Sequence, residues 1–208
     1  MSQEILNLRE TLKQNPHDKD AFDSLNALLR QSQDWRGLIS LYEDIGNAAN
    51  GHLEDGGTPH YSELAIGLRE IGTNLGEKQE RGKLLVALGD VYMERLNRRE
   101  EAMAAYQESF KAWPKDTLCL ERARSIYRLA EDYERVLVLY ELQSKVLKKM
   151  SRTEELATTF VEMAEVHAEG MKNPPKAIEL LLEARALAPE NEEIDGYLAK
   201  YSSSEDIL

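Results

Sequence analysis

Histidines, a lone cysteine and clustered carboxylates are the side chains through which this chain could do acid–base, nucleophilic or metal chemistry. The histidines are His17, His52, His60 and His167. His17 follows Pro16, which ends a helix, and His167 takes the place that Tyr92 holds in an earlier segment, so both read as surface or structural residues. His52, Glu54, Asp55 and His60 share a glycine-rich stretch, but their spacing matches neither a helix-borne nor a paired-cysteine ligand set. Cys119 is the only cysteine, so an intramolecular disulfide is excluded and a reducing compartment fits. Its one basic neighbour in sequence is Arg122, and buried packing is the expected role rather than nucleophile. Gly56-Gly57 and the 67–76 stretch lack the lysine and the strand of a phosphate loop. No catalytic residue, cofactor site or metal site is predicted, and the chain reads as a non-enzyme.

The elements that would carry these residues are helices. Apolar residues recur at spacings of three and four, and runs of β-branched residues are absent. Ile5, Leu8 and Leu12 mark a helix over 3–14, which Asn15-Pro16 ends because the residue before proline avoids helical geometry. Asp18 is a fitting N-cap for the next helix, with Phe22, Leu25, Leu28 and Leu29 on one face. Trp35, Leu38, Leu41, Tyr42 and Ile45 continue a second stripe to about residue 49, so the two make a helical hairpin. Residues 50–60 read as a loop and 61–75 as a helix with Leu64, Leu68 and Ile71. The whole stretch of about 50–80 is a degenerate repeat or an insertion with one helix, and insertion is the favoured reading.

From residue 79 the pattern sharpens. Leu88-Gly89-x-x-Tyr92, Ala102-x-x-x-Tyr106 and Pro114 return 34 residues later as Ala123, Ile126, Val136 and Tyr140. A fixed offset of this size marks a stacked repeat. A fourth hairpin carries Leu156, Phe160, Met163 and Ala164, then Pro174-Pro175, Ala177, Leu181, Ala184 and Pro189. A polar-faced helix over 191–201 would cap the stack, and 202–208 reads as a disordered tail. Small residues at 89, 102, 123, 164 and 177 are expected where paired helices approach, with Tyr92, Tyr106 and Tyr140 filling the spaces between hairpins.

Charge narrows the partners. With 26 basic and 38 acidic residues the formal net charge is −12, which repels phosphate backbones and anionic lipid. The basic stretches at 95–99 and 145–152 are followed by Glu100-Glu101 and Glu154-Glu155, so they read as solvated helix ends. Neither nucleic acid nor membrane is an expected partner. The first ten residues lack a signal-peptide pattern, and no apolar run approaches a membrane span, so a soluble cytoplasmic protein is expected.

The quoted skeleton resembles the tetratricopeptide repeat family, in the divergent form seen in bacterial repeat proteins. The first hairpin fits through Phe22, Leu25, Leu29, Leu38 and Tyr42, and residues 3–16 look like a lone second helix. One departure is an extra residue between the paired helices. Gly89 to Ala102, Ala123 to Val136 and Ala164 to Ala177 are each 13 apart, against 12 for Asn26 to Leu38. The resemblance implies an all-α, right-handed α-α superhelix of about four hairpins with capping helices at both ends, one solenoid over 1–201.

It also implies a concave groove lined by first helices, which takes extended peptides or partner helices. Helical spacing would expose Lys83, Val86, Asp90 and Met93 there, then Thr117, Leu120, Arg124 and Tyr127, then Val161, Glu165 and Ala168. Of these, Lys83, Asp90, Met93, Leu120, Arg124, Tyr127 and Glu165 are the candidate partner-binding residues. The family's clamp for acidic C-terminal peptides would place basic and amide side chains at Asp23, Ala27, Ala87, Thr117 and Glu121, and none matches. A neutral to basic protein segment is therefore the expected ligand. The alternative is a structural spacer or self-associating subunit. A C-terminal ligand for strand-adding domains, Asp206-Ile207-Leu208, is outweighed by the tail reading, and no helix-turn-helix with a basic face is present.

Overall fold

Helix ends, rather than helix interiors, set the plan of this chain. Asp18 accepts the Ala21 N–H at 2.9 Å, Glu77 the Glu80 N–H at 2.8 Å, Asp132 the Arg135 N–H and Asn173 the Lys176 N–H, both at 3.2 Å. Each satisfies a first-turn donor that a helix cannot pair internally. At the other ends, Gln33, Asn97, Glu131, Ser151 and Lys172 have φ between 51° and 58°. In all five cases the next helix begins two residues on. A left-handed residue at this place turns the chain back so that late amides reach carbonyls of the last turn, as Asp34 N–H to Leu29 and Asp132 N–H to Tyr127, both 2.9 Å.

The computed structural model describes residues 3–48 and 58–202. Among them are α1 (Gln3–Gln14), α2 (Lys19–Gln31), α3 (Trp35–Ala48), α4 (Thr58–Asn74), α5 (Lys78–Asp90) and α6 (Arg99–Ala112). They continue with α7 (Leu118–Leu129), α8 (Tyr133–Lys149), α9 (Thr153–Glu165), α10 (Pro174–Leu187) and α11 (Glu192–Ser202), and no strand is found among the described residues. π turns at Val91–Arg95 and Val166–Gly170 extend α5 and α9. The all-α hairpin architecture implied by the sequence is what is observed, including the long α8. Of the expected loop at 50–60 and tail at 202–208, residues 50–57 and 203–208 lie outside the described residues, whereas 58–60 belong to α4 and Ser202 to α11.

The chain divides into two compact units, Met1–Trp113 and Pro114–Leu208. In the first, Leu25, Leu29, Leu38, Leu64, Leu68, Leu84 and Leu88 are fully buried. Each contributes about 1.5–3 kcal/mol by removal from water. The one helix expected near 61–75 is α4, and it packs on both α3 and α5, so it is built into this core. A β-carbon at Gly67 would lie 2.8 Å from Arg30 Nε and 3.0 Å from Leu38 Cδ2, which accounts for glycine where α4 crosses the first hairpin. In the second unit Val136, Tyr140, Leu147, Phe160, Ala164, Ala177, Leu181 and Ile194 form the core of α8 to α11.

The hairpins fall into two kinds. In α5–α6 and α9–α10 the residue added to the repeat is taken up by the π turn, and amides of Arg98 and Asn173 reach back to the carbonyls of Tyr92 and His167 at 2.7 and 2.8 Å. The equivalence of Tyr92 and His167 is thereby visible in the backbone. Hairpins α2–α3 and α7–α8 have no such turn. Measured back from the left-handed residues Gln33 and Glu131, the partner of Asn26 is Arg124, not Ala123. The extra residue expected in the α7–α8 turn is therefore not there, and the small-residue position of that hairpin is filled by arginine.

Candidate functional site

That shift of one residue produces the main polar feature of the second unit. Arg124 is 5% exposed, and its guanidinium lies 3.9 Å from the Tyr140 ring centroid. Its Nη1 donates to Gln143 Oε1, Gln143 Nε2 donates to Thr159 Oγ1 at 3.2 Å, and the Thr159 hydroxyl donates to the Glu155 carbonyl at 2.8 Å. The Tyr140 hydroxyl accepts from Arg128 Nη2 at 2.9 Å. The cluster thus spans α7, α8 and α9, and positions three and four apart on each helix supply it.

Glu162 stands at its edge, partly buried. Burial pushes the Glu162 carboxyl above its ordinary value, although Arg124, Arg128 and a hydrogen bond with Tyr140 all pull it down. Burial likewise lowers Arg124 and raises Tyr140. The nearby Glu121 carboxylate adds to the effect of burial on Glu162. One turn further along the chain, Glu165 accepts from the Tyr197 hydroxyl of α11, which pushes Tyr197 up to about 12. Beside it Glu169 accepts from Lys200 Nζ at 2.8 Å and from the Tyr201 hydroxyl at 3.2 Å. These bonds fix α11 against the π turn.

The predicted groove residues meet different fates. Tyr127 and Glu165 are partly open, with Arg135 placed 5.4 Å from the Tyr127 ring centroid. Leu120 and Arg124, predicted to be exposed, are instead buried: Arg124 because α7 has no π turn and sits one place out of step with α5, Leu120 at a level where α5 buries both Leu85 and Val86. Arg124 falls where Gly89 lies, rather than where Asp90 lies. Val86 and Ala168 are buried as well. In the first unit Lys83 is engaged with Glu80 at 3.1 Å, and Asp90 accepts from the Tyr106 hydroxyl at 2.8 Å. Met93 is partly buried in the π turn. Glu80, which also accepts from Arg36 at 2.7 Å, is pulled down to about 2 by those two cations. Sequence reasoning missed Glu162, Gln143 and Tyr197. No pattern singled them out, since they are polar residues of ordinary helix faces made important by the shifted α7.

The residues considered for chemistry do not gather. Cys119 is buried, as its place on a first helix predicts, and His17 is exposed. His52, Glu54 and Asp55 lie outside the described residues. Among the described residues no three of histidine, cysteine, aspartate and glutamate are placed to hold a metal, and no helix is long and apolar enough to cross a membrane.

No family model matches the chain, and no curated protein matches it. Solved structures do. MamA 41-end from Desulfovibrio magneticus RS-1 is 16% identical, with TM-score 0.47, 81% of this chain covered and 86% of that one. BtubC from P. vanneervenii is 16% identical, with TM-score 0.44 and coverages of 89% and 87%. PilF of Pseudomonas aeruginosa is 15% identical, with TM-score 0.41 and coverages of 94% and 87%. The fold given above rests on the helices themselves.

Proposed function

We propose that this chain is a non-enzymatic protein-interaction module of the cytoplasm, and that α7, α9 and α11 of its second unit hold a neutral to basic segment of a partner protein. The observation that carries this reading is Glu162. It is a partly buried carboxylate at the edge of the Arg124 network, raised by burial and by the nearby Glu121, so a cation arriving from a partner would favour its charged form. Tyr127 and Glu165 supply an aromatic surface and a second carboxylate, already positioned by Arg135 and Tyr197. Side chains held before binding lose little freedom on binding, which favours recognition. Lys83, Asp90 and Met93 are a separate candidate contact surface, within the first unit by itself.

Peptides selected from a random display library on the wild-type protein should be enriched in lysine and arginine. Counter-selection on Glu162→Lys should remove them. Enrichment of acidic peptides, or the same peptides on both proteins, would refute the proposed chemistry. No enrichment at all, with a mass that rises with concentration in light scattering, would favour the self-associating alternative.

A further inference from the structure

We propose that the cleft between the α4–α5 turn and the end of α6, in the first unit, docks a short acidic segment of a partner protein. This is a second site, independent of the one on α7, α9 and α11, and of opposite charge preference. Lys78 and Arg81 on the first turn of α5 and Lys111 on the last turn of α6 line it, with Thr73 and Asn74 at the end of α4. The cleft holds about 580 Å³.

Three cations around one concave site are what recommend it. Many basic side chains of the protein find carboxylates: Arg36 reaches Glu80 at 2.7 Å, Lys176 reaches Glu179 at 2.7 Å, and Lys200 reaches Glu169 at 2.8 Å. Among the described residues the side chains of Lys78, Arg81 and Lys111 have no ion-pair or hydrogen-bond partner. In a chain of net charge −12, three unpaired cations around one cleft outnumber the single carboxylate that lines it, Glu108. Glu108, also on the rim, lies 3.8 Å from Arg69. Thr73 and Asn74 donate back to carbonyls of their own helix, at 2.9 and 3.0 Å. The α5 amides of Gln79 and Glu80 are taken by Glu77. Attraction at this cleft is therefore left to the three side chains. A peptide with a few carboxylates matches them, whereas a nucleic acid would carry its phosphates on across the surrounding acidic surface. None of the positions of the family's acidic-tail clamp lies in this cleft.

The test is fluorescence anisotropy of labelled hexaglutamate at low ionic strength. Wild type should bind it, Lys78→Glu/Lys111→Glu should bind roughly tenfold or more weakly, and binding should fall as salt is raised. Arg81→Gln, a neutral change at an exposed place, should weaken it by a smaller factor, and this variant decides the matter if the double reversal fails to fold. Glu162→Lys should leave hexaglutamate binding unchanged, which separates this site from the other. Failure of wild type to bind, equal binding by the folded variants, or tighter binding of an oligonucleotide of equal charge would overturn the proposal.

Discussion

Arg124 lays its guanidinium 3.9 Å from the ring centroid of Tyr140, in the place where Gly89 meets Tyr106 in the α5–α6 hairpin. The two solutions differ physically. Glycine lets backbone approach ring, while arginine holds the ring with a flat cation and extends the contact to Gln143 and Thr159. Removing the arginine strands buried acceptors, so Arg124→Ala is expected to cost about 2–4 kcal/mol. Urea unfolding of the wild type and variant measures this, and a loss below about 1 kcal/mol would show that the network contributes little beyond its neighbours.

Gly89 should tolerate no side chain. A β-carbon there would run into the Tyr106 ring, and Tyr106 is anchored by its bond to Asp90. Gly89→Ala is expected to destabilise by about 1–3 kcal/mol, the cost of overpacking. Gly196 gives the contrast: it lies inside α11 with nothing within 4 Å of an added β-carbon. Gly196→Ala should stabilise by about 0.5–1 kcal/mol through helix propensity. Melting curves of the two variants should move in opposite directions.

The contrast between Gly89 and Arg124 also explains what could be read from the chain beforehand. Apolar stripes such as Leu25, Leu29 and Leu38 specify helices directly, because burial of a stripe is what stabilises a helix, and the hairpins were legible for that reason. The repeat of 34 holds for second helices, as Ala102 to Val136 and Tyr106 to Tyr140. It fails for first helices, where Gly89 corresponds to Arg124, 35 residues on. A π turn adds one residue without a distinctive composition: Val91–Arg95 and Val166–Gly170 read as ordinary helix. A one-residue slip on a helix rotates a side chain by over a quarter of a turn, enough to move Arg124 from an expected open face into the interior.

The five left-handed residues store a removable cost. Glu131 is exposed with φ 54°, a conformation that strains an ordinary side chain. Glu131→Gly is expected to stabilise by about 1 kcal/mol, the relief of that strain less the entropy glycine adds to the unfolded chain. Asn97→Gly, at φ 51°, should gain less, since asparagine tolerates this region better. Equal midpoints for Glu131→Gly and wild type in urea would show that the turn is not strained.

His167 should make stability depend on pH near neutrality. It is partly buried in the π turn of α9, and its Nδ1 is buried with no hydrogen-bond partner among the described residues. Burial, aided by Lys176, lowers its pKa below the ordinary 6.5. As pH falls through 6.5 the unfolded chain takes up the proton while the folded chain still resists it. Between the two values the unfolded state holds more protons, so stability is complete above about 6.5 and is lost below it, by at most about 1.4 kcal/mol per pH unit. His167→Tyr installs the residue found at the equivalent Tyr92 and removes the titration. Urea unfolding of both proteins at about pH 7.5 and about pH 5.5 should give a smaller fall for the variant. An identical fall in both would assign the acid sensitivity to other groups.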